Sequence, residues 1–366
     1  MTETALHDIL ELGVQEGASD WHIREDCTVS LRVNGTLGEI DFVTDNAFFQ
    51  RVLDEVVPAN LLITFDKTGD ADFAFEEDGV GRFRANLHRQ RGKLGLTLRF
   101  VKEKVPPVGE LHLPEQVPNL AESLRGIIFV AGITGAGKST TLACMVEHMN
   151  QKMTRHIITV EDPIEYAFQD DNSIIEQREV GLDVNTFNSA LIHVLRQDPD
   201  VIVIGEMRDR ETFETALVAA ETGHLVLTTL HTMNASQSLT RILDMYDHNE
   251  REAVRKGLAI NLRAIVCQRL VRRASGRGMV PAMEILINTP IVTKLISENK
   301  LDKIQTAIDA GAEDGMMSFN RSLLGLINEG LITEEEGLLA SSSADQLRMN
   351  LQGIFLNSDG GTIVGQ

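Results

Sequence analysis

Gly132-Ile-Thr-Gly-Ala-Gly-Lys138-Ser139 is the stretch that decides the fold, because it fits the pattern GxxxxGK[ST] at every specified position. It follows the apolar run Ile127-Ile-Phe-Val130, which is typical of a buried strand, and it precedes a helical segment that begins at Thr140. Glycines at this spacing let consecutive backbone N–H groups turn inward around phosphate oxygens, and the helix N-terminus adds a partial positive charge. The stretch therefore predicts a site for the phosphates of a nucleotide.

The same loop predicts roles for its individual residues. Lys138 is expected to reach the β- and γ-phosphates of ATP, and the Ser139 hydroxyl to take a place on the Mg²⁺ that accompanies them. The other predicted nucleotide contacts in this loop are Gly132, Thr134, Gly135, Ala136, Gly137 and Thr140. A chance Gly-rich turn before a helix is the alternative, and the strand, the full pattern and the helix together disfavour it.

Short β-branched runs alternate with helical stretches on both sides of this loop. Besides residues 127–130, the runs are Ile157-Ile-Thr-Val160, Val201-Ile-Val-Ile204 and His224-Leu-Val-Leu-Thr-Thr229. Such runs are typical of strands that are buried on both faces of a parallel sheet. A helical stripe between the last two runs ends before Gly223, which occupies a helix C′ position. We therefore expect an α/β domain whose ligand lies beyond the carboxyl ends of the strands.

Two of these predicted strands run into acidic residues. One continues into Glu161-Asp-Pro-Ile-Glu165, and another into Gly205-Glu206. Pro163 is expected to end the first strand, so that Glu165 can orient and deprotonate the attacking water. Glu206 holds the position of a Walker B acid, which assists Mg²⁺ through its bound water. For either residue taken alone, a solvated loop carboxylate is the alternative interpretation.

Two histidines bracket the last apolar run. Seven residues of strand span roughly 23 Å, and the odd spacing points His224 and His231 to opposite faces, so they cannot share one metal ion. His231, at the carboxyl end, is placed to sense the γ-phosphate. From the residues alone, a buried structural role is the better interpretation of His224.

The chain of 366 residues suits two domains, because single cores rarely grow beyond about 250–300 residues. Residues 1–102 are predicted to form a small α+β domain, and 103–112 a charged, proline-bearing linker. An ATPase domain over 113–350 follows, with a mostly helical part from about residue 245, and then a disordered tail over 351–366. In the first domain Gly81-Arg-Phe-Arg-Ala-Asn86 alternates with period two, which puts Arg82 and Arg84 on one face and Phe83 on the other.

The composition limits the classes of partner. The chain has 34 basic and 54 acidic residues, a net charge of −20, whereas a nucleic-acid motor needs a surface of phosphate-neutralising cations. The three cysteines lie far apart without a CxxC pair, which indicates free thiols in a reducing compartment. The acidic start and the lack of an 18-residue apolar run predict a cytoplasmic chain with no direct membrane insertion.

Together these motifs resemble those of the secretion-type ATPase superfamily, and within it the type IV pilus retraction ATPases (PilT-like), from about residue 5 to about 345. Besides the phosphate loop, the resemblance rests on Gly17-Ala-Ser-Asp-Trp-His-Ile23, Gly81-Arg-Phe-Arg84, Glu161-Asp-Pro-Ile-Glu-Tyr166, Gln177-Arg-Glu-Val180, Arg196-Gln-Asp-Pro-Asp200, Gly205-Glu-Met-Arg-Asp209 and the stretch from Ala220 to Thr232. It implies an α/β RecA-like P-loop ATPase core with a smaller PAS-like N-terminal α+β domain. It also implies a homo-hexamer at the cytoplasmic face of the inner membrane.

The resemblance assigns further residues to the nucleotide. Glu161 and Asp162 belong to the family's Asp box with Glu165 as catalytic base, Glu206 is the atypical Walker B acid, and His224 and His231 form the His box. Family members place N-terminal-domain arginines on the nucleotide phosphates, and these match Arg82, Arg84 and Arg99. Arginines near the nucleotide across the ring match Arg196 and Arg241. From the sequence alone, arginines on a solvated sheet face are the alternative for the first group.

The implied function is an ATP-hydrolysing motor, with Mg²⁺, that retracts type IV pili in twitching motility and acts on an inner-membrane platform protein. One departure favours an accessory, nucleotide-binding subunit that assists a sister retraction ATPase. The retraction motif Ala-Ile-Arg-Asn-Leu-Ile-Arg-Glu appears here as Ile291-Val-Thr-Lys-Leu-Ile-Ser-Glu298, so Thr293 and Ser297 replace its two arginines. Several other segments resemble the accessory group (PilU-like), whereas intact Glu165 and Glu206 argue against an inactive enzyme. A nucleic-acid translocase is disfavoured by the net charge, and a small-molecule kinase by the two-domain layout.

Overall fold

The structure is a computed structural model that describes residues 6–33, 35–102, 104–356 and 362–364. By its contacts the chain separates into two compact units. One comprises Met1–Lys104 with Ile164–Ala167, and the other comprises Val105–Pro163 with Phe168–Gln366. The division at Lys104 falls inside 103–112, the segment that the sequence predicts as a linker.

The first unit is an antiparallel sheet with helices on it. Its elements in chain order are α1 (Leu6–Gln15), β1 (Ala18–Arg24), β2 (Cys27–Val33), β3 (Thr36–Thr44), α2 (Asn46–Glu55), α3 (Ala59–Thr68), β4 (Asp70–Glu77), β5 (Gly81–Gln90) and β6 (Lys93–Phe100). The six strands lie in the order β3-β2-β1-β6-β5-β4. The predicted alternation along β5 is confirmed: Phe83 is buried, whereas Arg82 and Arg84 are partly exposed on the opposite face.

Trp21, which has no interpretation from the sequence alone, anchors the core of this unit. Its indole Nε1 donates to the carbonyl of Ile9 at 3.0 Å, and its ring meets that of Phe83 edge-on with 5.3 Å between centroids. Helix α1 passes so close that a Cβ on Gly13 would lie 2.3 Å from the indole nitrogen. The large side chain at position 21 therefore requires a glycine at position 13.

The second unit is built on a mostly parallel sheet between helices. Its elements through the sheet are α4 (Gln116–Ala121), β7 (Gly126–Ala131), α5 (Lys138–Lys152), β8 (His156–Glu161), β9 (Ile174–Glu179), α6 (Phe187–Val194), β10 (Val201–Ile204), α7 (Arg210–Glu221), β11 (Leu225–Leu230), α8 (Ala235–Leu243), α9 (Arg251–Asn261), β12 (Leu262–Arg272) and β13 (Met279–Ile287). The strand order is β13-β12-β7-β11-β10-β8-β9. All four predicted apolar runs are strands of this sheet, and β7, β8, β10 and β11 pair in parallel as expected.

The part after residue 245 is less helical than the sequence analysis expected. Strands β12 and β13 form a long antiparallel hairpin there, and β12 lies parallel to β7. The hairpin is almost wholly buried, so it lacks the alternation that marks a half-exposed strand, and periodicity alone does not separate it from a buried helix. The helices that follow are α10 (Pro290–Ser297), a 3₁₀ turn (Leu301–Lys303), α11 (Ile304–Ala310), α12 (Phe319–Asn328), α13 (Glu334–Ala340) and α14 (Ala344–Leu351).

The end of the chain contains two short strands inside the segment predicted to be disordered. They are β14 (Ile354–Leu356) and β15 (Thr362–Val364), and they pair antiparallel. Residues 357–361 and 365–366 of that predicted tail lie outside the described residues. Across the part of the chain that the structure describes, none of the helices has the length and apolar character to span a bilayer.

Candidate nucleotide site

The predicted phosphate loop joins the end of β7 to the start of α5. Lys138 opens the helix with its side chain nearly buried, and its Nζ donates to the carbonyls of Gly132 at 2.9 Å and Ile133 at 3.1 Å. Burial lowers the pKa of Lys138, and the charge of Glu206 opposes that shift. The ammonium group is thus held against the loop that is expected to receive the phosphates.

The loop rests on Gln268 of β12, a residue that the sequence analysis missed. Gln268 is 3% exposed, and its Oε1 accepts a hydrogen bond from Thr141 Oγ1 at 2.6 Å. A Cβ on Gly137 would lie 2.8 Å from Gln268 Nε2, so the backbone passes directly over this amide. The only sequence signal for Gln268 is a polar residue directly after the apolar run Ala264-Ile-Val-Cys267.

The residues present fit a nucleotide with Mg²⁺. Gly137 has φ 86°, the left-handed conformation that lets the loop turn its N–H groups toward an anion. Thr134 and Ser139 are exposed, as expected for groups that contact the phosphates and the metal ion, while Lys138 supplies the buried cation. These individual contacts remain predictions.

Gly137→Ala is expected to weaken ATP binding by about tenfold, because the new methyl group meets both the left-handed backbone and the Gln268 amide. The loop would have to shift away from its phosphate-binding shape. Titration with a fluorescent ATP analogue measures the affinity. Gly325→Ala in α12 is the matched control, since open space surrounds it and binding should not change. Unchanged affinity in the Gly137 variant would contradict the assigned loop geometry.

The acidic residues predicted at the strand ends lie at one edge of the sheet. Strands β8 and β10 are parallel neighbours, and the first ends at Glu161 while the second is followed by Gly205 and Glu206. Glu161 accepts hydrogen bonds from Thr159 Oγ1 at 2.6 Å and Gln177 Nε2 at 3.1 Å. These bonds fix its carboxylate on the sheet. Its predicted contact with the nucleotide stays a prediction.

Glu206 is the centre of a charged cluster. Its Oε1 lies 3.0 Å from His231 Nε2, and its Oε2 lies 2.7 Å from a guanidinium nitrogen of Arg208. Arg208 also approaches Asp162 Oδ2 at 3.8 Å. Burial alone would raise the pKa of Glu206, but the hydrogen bond and charge of Arg208, with the charges of His231 and Lys138, lower it. Glu206 is therefore an ionised group that can act on Mg²⁺ or its water ligands.

Sequence reasoning did not assign Arg208 a role, although it lies in the quoted segment Gly205-Glu-Met-Arg-Asp209. Its side chain is 60% exposed, so its ion pair with Glu206 is screened by solvent and can exchange when a ligand arrives. The structure thus adds an exposed cation beside the predicted Walker B acid.

The two predicted histidines lie just outside the ends of β11 and have different surroundings. His231 follows the carboxyl end and joins the Glu206 cluster. His224 precedes the strand, and its Nδ1 lies 2.9 Å from the carbonyl of Ala219 and 3.1 Å from Thr222 Oγ1. These contacts hold the C-terminal end of α7, which supports the structural interpretation of His224.

The remaining predicted residues lie elsewhere in the chain. Arg82, Arg84 and Arg99 belong to the first unit, where Arg84 and Arg99 are cross-strand neighbours. Arg99 Nε donates to Asp20 Oδ1 at 2.8 Å, a partner that the sequence analysis missed. Glu165 is exposed in the segment that clusters with the first unit. In the second unit, the other two predicted arginines, both exposed, are Arg196 after α6 and Arg241 in the last turn of α8.

Comparison with known proteins shows which family the chain resembles. The family model described as Type II/IV secretion system protein matches residues 110–323. The type IV pilus ATPase PilU of Pseudomonas aeruginosa is 39% identical, over 94% of this chain and 90% of that protein. The type IV pilus retraction ATPase PilT of the same organism is 37% identical, over 90% of this chain and 95% of that protein.

A solved structure shows the similarity in three dimensions. The crystal structure of the pilus retraction motor PilT with bound ADP matches with a TM-score of 0.87 and 41% identity, over 94% of this chain and 99% of that one. The match includes the RecA-like ATPase core and the N-terminal domain. The chain therefore belongs to the Type II/IV secretion system protein family, among its type IV pilus ATPases.

Proposed function

We propose that this chain hydrolyses ATP as a subunit of a homo-hexameric ring that retracts type IV pili. The observation that carries the proposal is the Glu206–His231–Arg208 cluster beside the buried Lys138, at the carboxyl edge of a parallel sheet. An intact acid, an intact loop lysine and a polar histidine together support hydrolysis rather than nucleotide binding alone.

In the proposed mechanism the protein positions ATP and stabilises charge. Lys138 and the loop N–H groups bind the β- and γ-phosphates, and Glu165 takes the proton of the attacking water. Mg²⁺, held by Ser139 and through water by Glu206, would neutralise phosphate charge. Arg82, Arg84 and Arg99 add delocalised positive charge to the phosphates from the N-terminal domain, and Arg196 and Arg241 do so across the ring.

The proposed ring works at the cytoplasmic face of the inner membrane on a pilus platform protein. Repeated nucleotide binding and release open and close each subunit, and that rigid-body change is the source of force. A sister retraction ATPase is a second proposed partner, because the PilU and PilT relatives both occur in Pseudomonas aeruginosa.

An accessory role beside such a sister motor is the second candidate function. In α10 the two residues that replace the motif arginines are bonded within their own segment. Thr293 Oγ1 donates to Asn288 Oδ1 at 3.0 Å, and Ser297 Oγ donates to the carbonyl of Thr293 at 2.8 Å. Short hydroxyls tied to the helix cannot reach an acidic partner as arginines would. This favours a subunit that hydrolyses ATP but does not retract pili alone.

Two measurements test the proposal. Mg²⁺-dependent ATP hydrolysis by the purified chain, with its mass in solution, is expected to show an active hexamer. Pilus retraction in a host that lacks the sister motor then separates the two functions. Retraction supports the independent motor, and hydrolysis without retraction supports the accessory subunit. A formed ring that binds ATP without hydrolysing it would reject the motor and leave a regulatory ring.

A further inference from the structure

Glu284 is a buried carboxyl group that none of the predicted site roles uses. It lies on β13 with 2% of its surface exposed. Its Oε1 accepts the backbone N–H of Ala235, the first residue of α8, at 2.9 Å. Only residues 231–234 separate the end of β11 from this helix, and His231 is the first of them. The carboxyl group therefore holds the far end of the short loop that carries His231.

A second set of buried contacts ties the same loop to α8. Thr232 Oγ1 and Ser238 Oγ lie 2.6 Å apart, and Ser238 Oγ also donates to the carbonyl of Asn234 at 2.9 Å. Asn234 caps the helix by accepting the N–H of Gln237 at 2.9 Å. The loop is thus closed on itself, and Glu284 bonds the first residue of α8 to β13 of the sheet. We therefore expect a shift of the α8 N-terminus to move His231, because only residues 231–234 lie between β11 and this helix.

Burying a carboxyl group at this place in the core costs free energy. Burial raises the pKa of Glu284 to about 7, and the bond from Ala235 and the charge of Arg269 only partly oppose it. The titratable or charged groups around it are Cys267 and Arg269 on β12 and Asp309 on α11. An apolar side chain of similar size would fill the space at lower cost but could not accept the helix N–H. Its ability to accept the N–H of Ala235 thus distinguishes Glu284 from an ordinary core residue.

We infer that Glu284 is a positioning residue for ATP hydrolysis, which fixes the N-terminus of α8 and thereby keeps His231 in contact with Glu206. The inference rests on the proposed function, because His231 and Glu206 matter only if the site hydrolyses ATP. Glu284 itself acts through the backbone of Ala235 and the loop, and a small displacement of a group at a reacting centre is enough to slow the reaction.

Steady-state hydrolysis by the full chain, in wild type and three variants, tests the inference. Glu284→Leu is expected to lower kcat by about tenfold with KM for ATP nearly unchanged, because the phosphate loop is untouched. Glu284→Gln keeps a carbonyl acceptor and should restore most of kcat. In a His231→Ala background, Glu284→Leu should cause less than about a twofold further loss, since the residue through which it acts is gone.

Leu286→Ala, two residues along the same buried strand, is the control for loss of stability alone, and its kcat should stay near that of the wild type. Equal losses for Glu284→Leu with and without His231 would overturn the inference, as would a Gln variant no better than the Leu variant. If the wild type hydrolyses no ATP, the proposed function fails instead. If His231→Ala leaves wild-type activity unchanged while hydrolysis persists, the positioning role is rejected.

Discussion

Glu165→Gln is expected to lower kcat for ATP hydrolysis by a factor of about 10²–10⁴, with ATP binding retained. The substitution keeps the size of the side chain but removes the carboxylate that is proposed to take the proton of the attacking water. Because Glu165 is exposed and lies outside the phosphate loop, its loss should not disturb the fold. Phosphate release by the purified chain gives kcat, and a fluorescent ATP analogue gives the affinity.

Glu176→Gln is the matched control, since it makes the same change in an exposed glutamate on β9 and should leave kcat unaltered. A Glu165 variant that keeps more than about a third of wild-type activity would remove this residue from the catalytic machinery. Glu161 and Glu206, the other glutamates predicted at the nucleotide site, would then be the candidates for the base.

The parallel sheet could be predicted from the sequence because its strands are short, apolar and followed by informative residues. The phosphate loop fixed the place of β7 and α5, and the acidic ends of β8 and β10 identified the edge where the site lies. The β12–β13 hairpin could not be predicted in the same way. Its residues are buried on both faces, so they show no period, and the loop that joins the strands has no two-residue hairpin signal.

The individual side chains of the site were predictable only where a motif names them. Such residues are Lys138, Glu206 and His231. In the structure, Glu206 Oε1 and His231 Nε2 lie 3.0 Å apart. Residues that support them come from distant parts of the chain: Gln268 reaches the phosphate loop across 127 positions from Thr141. Such partners are set by tertiary packing, which leaves no regular spacing in a single sequence.

Glu206→Gln is expected to lower kcat by about 10²–10³-fold while ATP binding is largely retained. The carboxylate is the only acidic group that the structure places in contact with both His231 and Arg208 among the described residues. An amide of the same shape can still accept one hydrogen bond, but it carries no charge for Mg²⁺ or its water. Since the surrounding cations lower the pKa of Glu206, the wild-type carboxylate stays ionised at neutral pH, and the variant measures the loss of that charge.

Arg208→Gln distinguishes two explanations for the expected loss of activity in the Glu206 variant. One is the loss of a charge that acts on Mg²⁺ and water, and the other is the loss of the Glu206–Arg208 ion pair. If the carboxylate acts on Mg²⁺ and the attacking water, removing the exposed arginine should cost less than about tenfold in kcat, because the charge of Glu206 persists. If the ion pair itself organises the site, the Arg208 and Glu206 variants should be equally impaired. Raising the Mg²⁺ concentration adds a second criterion. Partial recovery of the Glu206 variant, with no change in the Arg208 variant, would place the effect at the metal ion, since mass action can offset a weakened metal site but cannot replace a missing guanidinium.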